Sequence, residues 1–204
     1  MNETRDVDAY RRAVHAVARD HEAPVAAAIY AGAVTAAMRR SQLAGGGQFT
    51  DMLLTELTGD RLACLAAVEV GPVGCLSLEQ WTYDVWEGIA ERAAETVPPA
   101  LTEAEAMYRR ATIELLSEAG SDSASITFAA ALSVANVRWY AAGADPATAF
   151  VRSVLDEDPV AELARDQLDE TVRASLAMSV GNRWRVIMER VAVMVAVYAI
   201  EAAA

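Results

Sequence analysis

Lysine is missing from this chain: every one of its 17 basic residues is arginine. Ile, Asn and Phe are also scarce, a bias of GC-rich coding rather than of chemistry. Histidine occurs only as His15 and His21, and neither belongs to the Glu-x-x-His pairs that di-iron helical proteins need. Six residues apart on a helix, the two point in different directions. His15 falls on an arginine-rich polar face and His21 at the end of an apolar stripe. The two cysteines, Cys64 and Cys75, have a spacing that fits no metal pattern. With no signal peptide at the N-terminus, both are expected as free thiols of a reducing cytosol. There is no GxSxG elbow to set a nucleophile beside a base. There is no GxGxxG or GK[ST] loop either, so Gly45–Gly47 reads as a flexible loop, at most a lid, and not as a phosphate cradle. No apolar run reaches the roughly 18 residues of a membrane span. No cofactor is expected, and no motif decides whether the chain is an enzyme.

Positive charge is in short supply as well. The net charge of −12 argues against nucleic acid and against anionic membrane surfaces as partners. A DNA mimic would also be acidic, but an acidic cytoplasmic protein is the simpler reading. Aromatics make up 6% of the residues, so the core has to be built from small side chains in close helix contacts.

Helix formers are abundant. Alanine supplies about a fifth of the 204 residues, and it loses no side-chain entropy in a helix. Val25–Met38 carries no charge over fourteen positions. It follows Pro24, a residue suited to a helix start, and precedes Gly45–Gly47. A helix apolar all round belongs in an interior, and the small residues Ala28, Gly32 and Ala36 let a neighbour approach closely. Val7, Tyr10, Val14 and Val17 mark the inner stripe of an earlier helix over about Arg5–His21. Ser77 with Gln80, and Thr102 with Glu105, have capping-box spacing. Asp145–Pro146 and Asp158–Pro159 read as cap-then-proline helix starts, and Pro98–Pro99 as a stop. Asp60–Val70 and the alternating valines of Val191–Ile200 fit either helix or strand. No linker and no internal repeat divides the chain. The expected fold is therefore all-α, a single domain over residues 1–204. It is a helical bundle of about seven to nine helices around the apolar central helix Val25–Met38.

Three segments are nearly uncharged: Val25–Met38, Ile126–Val137 and Val191–Ile200. A compact monomer of this size buries one such helix, sometimes two. The third points to a surface buried against another copy, most simply in a two-fold homodimer. The leading expectation is a non-enzymatic helical interaction or accessory protein that self-associates through apolar helices, with acidic faces open to a basic protein partner. The alternative is a small-molecule pocket protein, a sensor or metal-free enzyme, in which Tyr30, Thr35, Asn136, Tyr140 and Tyr198 bring polar groups into apolar helices. A carboxylate row, Asp84, Glu87, Glu91 and Glu95, has helical spacing and oxygen ligands suited to Mg²⁺. The paired ExxE and ExxD motifs of all-helical nucleotide-pyrophosphate hydrolases are absent, so a solvated helix face is the better account.

Overall fold

The structure, a computed structural model, describes residues 3–96, 101–143 and 147–203. Pro98–Pro99 and Asp145–Pro146 lie outside them. The described residues form eleven helices and no strand. They are α1 (Glu3–Asp20), α2 (Val25–Leu43), α3 (Phe49–Gly59), α4 (Arg61–Asp84), α5 (Trp86–Glu95), α6 (Glu103–Glu118), α7 (Ser123–Ala142), α8 (Ala147–Glu157), α9 (Pro159–Gln167), α10 (Glu170–Asn182) and α11 (Trp184–Ala203). Both ambiguous segments are helical, in α4 and α11. The count exceeds seven to nine because the chain breaks where sequence periodicity runs through. Val85 separates α4 from α5, and Leu168–Asp169 separates α9 from α10 within the span where one helix from Asp158 to about Val180 is expected; the break at Arg183, between α10 and α11, falls beside Gly181–Asn182, where a break is expected. Ser77 starts no helix. It lies inside α4, where its hydroxyl donates to the Val73 carbonyl. Thr102 and Glu105 do form the capping box, each side chain taking the other's backbone N–H.

By packing, the described residues group into two compact units. The first is drawn from Met1–Pro99 with Asp158–Leu163, the second from Ala100–Glu157 with Ala164–Ala204. In the first, α2 packs on α1, α3 and α4, and α1 on α5; in the second, α7 packs on α6, α8 and α10, and α6 on α11. The apolar helices α2 and α7 are thus the centres of their units, buried through most of their length. Each carries an arginine in its final turns that binds carboxylates of its neighbours. Arg40 bonds Glu56 at 2.6 Å, and Arg11 reaches the same buried carboxylate from α1. Arg138 holds Glu105 at 2.6 Å and forks onto Glu157 at 2.8 and 2.9 Å. Burial raises the pKa of Glu105, but Arg138 and the Thr102 N–H outweigh it and hold the carboxyl below its usual range.

The recurrence of such features shows that the chain is a tandem repeat, a feature that reading the sequence alone misses. A shift of 98 residues, without a gap, carries Tyr10 and Trp86 onto Tyr108 and Trp184, and Arg40 onto Arg138. Both aromatic pairs are stacked, with centroids 5.3 and 5.0 Å apart. The same shift carries the Arg92–Asp20 bond onto the Arg190–Glu118 pair. Asp60 caps Leu62 and Ala63, and Asp158 caps Val160 and Ala161. The break residues Val85 and Arg183 have matching backbones, φ −98° and −93°. Fully buried Ile89 recurs as Ile187. About a quarter of the paired positions are identical, many of them alanine.

The copies differ where their cores were refilled. His15 does not lie on a wet face: its Nε2 sits where a Cβ on Gly32 would come within 2.3 Å. The second copy has Ile113 and Ala130 at these places. Thr35 is fully buried and its hydroxyl has no hydrogen-bond partner among the described residues. Its counterpart Ser133 bonds Thr112, the counterpart of Val14, at 2.7 Å. Trp81, packed on the first core, is replaced by Ser179, which borders a small void of about 10 Å³.

Two outcomes are expected in urea unfolding. Gly32→Ala overpacks the α1–α2 contact and costs about 1–3 kcal/mol, and adding His15→Ala recovers part of that loss. Thr35→Val removes a buried unsatisfied hydroxyl and raises stability by about 1 kcal/mol, whereas Ser133→Ala lowers it by a similar amount.

Candidate functional site

Helix α4 presents one of two exposed apolar surfaces among the described residues, the other being on α11. Asp60 caps the start of α4 with bonds of 2.9 and 3.3 Å to the Leu62 and Ala63 N–H groups. Leu62, Ala63 and Ala66 turn inward. Gly71, at φ 75°, breaks the regular helix, and Pro72 restarts it as a first helical residue. The break falls at the GPVG segment, where sequence reading ends the preceding apolar stretch, so α4 is two helical stretches joined across a kink. Among the described residues α4 is also the one helix long and apolar enough, by length and composition, to cross a membrane.

Its outward side is greasy. Val68, Val73, Leu76 and Tyr83 are 75%, 80%, 67% and 69% exposed, with Cys64 and Pro72 between them on the open side. The repeat supplies an internal comparison. The counterparts of Val68, Val73, Leu76 and Tyr83 in the second copy are Asp166, Thr171, Ala174 and Gly181. At these four places the second copy carries polar or small residues, while α10 exposes Met178 at the place of Gln80. Folding alone does not call for the apolar set. A second exposed apolar surface, with Val186, Met188, Val193, Val195, Val197 and Tyr198, lies on α11.

The remaining candidates are dispersed. Tyr30 and Thr35 are buried on α2 in the first unit; Asn136 and Tyr140 on α7 and Tyr198 on α11 belong to the second. The Tyr30 hydroxyl donates to Glu79 Oε1 on α4 at 2.8 Å. Burial first, then that bond and the Glu79 charge, with Cys75 adding to them, push its phenol far above the ordinary value. Asn136 is half-buried. Tyr140 is exposed and stacks on Trp184 at 5.8 Å. The Tyr198 oxygen accepts from Arg110 at 2.7 Å.

The carboxylate row is divided by the break at Val85. Asp84 ends α4 and accepts from Gln80, while Glu87, Glu91 and Glu95 lie on α5. Glu91 and Glu95 border a cleft of about 410 Å³ with Asp20, His21, Gly88 and Arg92, over Val17 and Val85. No group of three or more His, Cys, Asp or Glu among the described residues has the placement to hold a metal ion. In the second copy His21, Gly88 and Glu95 correspond to Ala119, Val186 and Val193. No family model, curated protein or solved structure gives a significant match to this chain.

The Tyr30–Glu79 bond makes stability pH-dependent in a stated direction. An unfolded tyrosine ionises near pH ~10, whereas folded Tyr30 keeps its proton above that. Its contribution is complete below pH ~10 and is lost as pH rises further. Urea unfolding on the alkaline side is expected to show a steeper decline for the natural chain than for Tyr30→Phe.

Proposed function

We propose that the protein is a non-enzymatic helical interaction protein that works as a homodimer, each unit a small bundle around its apolar central helix. Two of the three uncharged segments, in α2 and α7, are enclosed within the chain, and their burial gives no reason to dimerise; the third, Val191–Ile200 in α11, is exposed at Val193, Val195, Val197 and Tyr198 and adds to the open apolar surface of α4. The single observation that carries the reading is the exposed apolar side of α4, set against the polar and small residues at the same places in the second copy. Large apolar patches left open on one chain are what interfaces cover. The acidic remainder of the surface, with a net charge of −12, suits a cytoplasmic setting and leaves room for a basic protein partner.

A second reading, a small-molecule protein, draws support from the α1–α5 cleft, whose 410 Å³ falls in the range of ligand sites. A small molecule retained in native mass spectrometry, and lost on Gly88→Val, is the result expected of that reading.

Light scattering across a concentration series tests the first reading. The expected mass is twice the 21.8 kDa of one chain. Leu76→Asp is expected to reduce it to a single chain with the helical circular dichroism unchanged. A mass of 21.8 kDa at every concentration overturns the proposal, and a dimer that survives Leu76→Asp removes α4 from it.

A further inference from the structure

The cleft between α1 and α5 is a feature of the first unit that the fold does not call for. It measures about 410 Å³, and two of its lining residues, Val17 and Val85, are packed on the first core. Gly88 keeps it open. That glycine lies inside α5 without a positive φ, and a Cβ built on it meets nothing within 4 Å. Glycine weakens a helix, and neither a turn nor a close approach requires one here. What its missing side chain leaves is room in the cleft. The second copy carries Val186 at this place, and Val193 where the first has Glu95.

The lining is unevenly charged. Asp20, Glu91 and Glu95 share it with a single guanidinium, Arg92, and with His21. Asp20 already engages Arg92 at 2.9 Å, and no ion pair among the described residues neutralises Glu91 or Glu95. The second copy treats the same carboxylate differently. Glu189, the counterpart of Glu91, pairs with Arg185 at 3.5 Å, whereas the first copy holds Glu87 at the place of that arginine. One copy thus has valines and a compensated carboxylate where the other has an open cavity and carboxylates without a countercharge.

We infer that this cleft binds a small organic cation, an ammonium or guanidinium group carried on an apolar body. The inference rests on the small-molecule reading given above and is independent of self-association. The apolar body lies on Val17 and Val85 over Gly88, and the charged head gives Glu91 and Glu95 the countercharge that Arg185 gives Glu189. A metal ion fits less well, since no three His, Cys, Asp or Glu among the described residues are placed to hold one. An anion would meet Glu91 and Glu95 as like charges, with Arg92 already engaged.

Probes of one shape and different charge test this. Tryptamine, tryptophol and indoleacetate carry an ammonium, a hydroxyl and a carboxylate on the same indole body. In isothermal titration calorimetry at low salt, tryptamine is expected to bind several-fold tighter than tryptophol, as exposed ion pairs allow, and indoleacetate weakest. Added salt is expected to weaken tryptamine and leave tryptophol unchanged. Glu91→Gln combined with Glu95→Gln is expected to bring tryptamine to the affinity of tryptophol. Gly88→Val is expected to abolish the binding of both, with helical circular dichroism unchanged in each variant. Tryptophol binding as tightly as tryptamine, or tryptamine binding unchanged by the two glutamines, overturns the cationic ligand; the small-molecule reading then stands if Gly88→Val abolishes binding. Tryptamine binding that survives Gly88→Val overturns the cleft as its site. No binding by any of the probes overturns the inference, while a small molecule retained in native mass spectrometry and lost on Gly88→Val keeps the small-molecule reading.

Discussion

Everything else in the fold is arranged around a helix that has no polar side. An apolar helix cannot meet water on any face, so the chain has to surround α2 with α1, α3 and α4, and α7 with α6, α8 and α10. The packing that results is close and made of small groups, alanine above all. Such contacts have little directional character. Direction comes from the arginine near the end of each central helix, Arg40 and Arg138, whose planar fork binds carboxylates from the helices on either side. The buried carboxylates Glu56 and Glu105 depend on these guanidinium groups, since a buried charge without a partner is strongly disfavoured.

That arrangement occurs twice, and the two occurrences act as a comparison within one molecule. Features kept under the 98-residue shift are those the fold needs: the Tyr–Trp stacks, the Asp60 and Asp158 caps, the Ile89 and Ile187 core positions and the paired arginines. Features that differ show where one copy was freed to change. His15 beside Gly32 became Ile113 beside Ala130, a trade of bulk across one helix contact. Trp81 became Ser179, leaving a void. The open side of α4 belongs to this second group. Its apolar residues are an addition to a frame that stands without them, and that is why they support a reading about function rather than about folding.

Local signals in the chain were legible wherever one residue pair decides a local hydrogen bond. The Thr102–Glu105 box and the Asp158 cap fall where spacing places them. The Ser77–Gln80 box does not, because the same residue types are common inside helices and Pro72 had already opened the segment. Periodicity ran through the breaks at Val85 and Leu168–Asp169, since none of these is a glycine or proline, whereas the break beside Gly181–Asn182 was marked by its glycine. The repeat escaped notice because many of its identities are alanines, which any helix shares; the Tyr-Arg-Arg-Ala runs at Tyr10 and Tyr108 were the visible trace.

The amino-acid sequence alone determined that the protein is helical and acidic, and which helices have no polar face. Those properties follow from composition and from residues within a turn or two of each other. Only the tertiary structure decided which apolar surface is covered. Three segments look equally greasy in the sequence, yet two are enclosed by other helices, while the third, in α11, stays open, as does the outer side of α4. Burial is a property of what arrives from elsewhere in the fold, and no local pattern of side chains contains it.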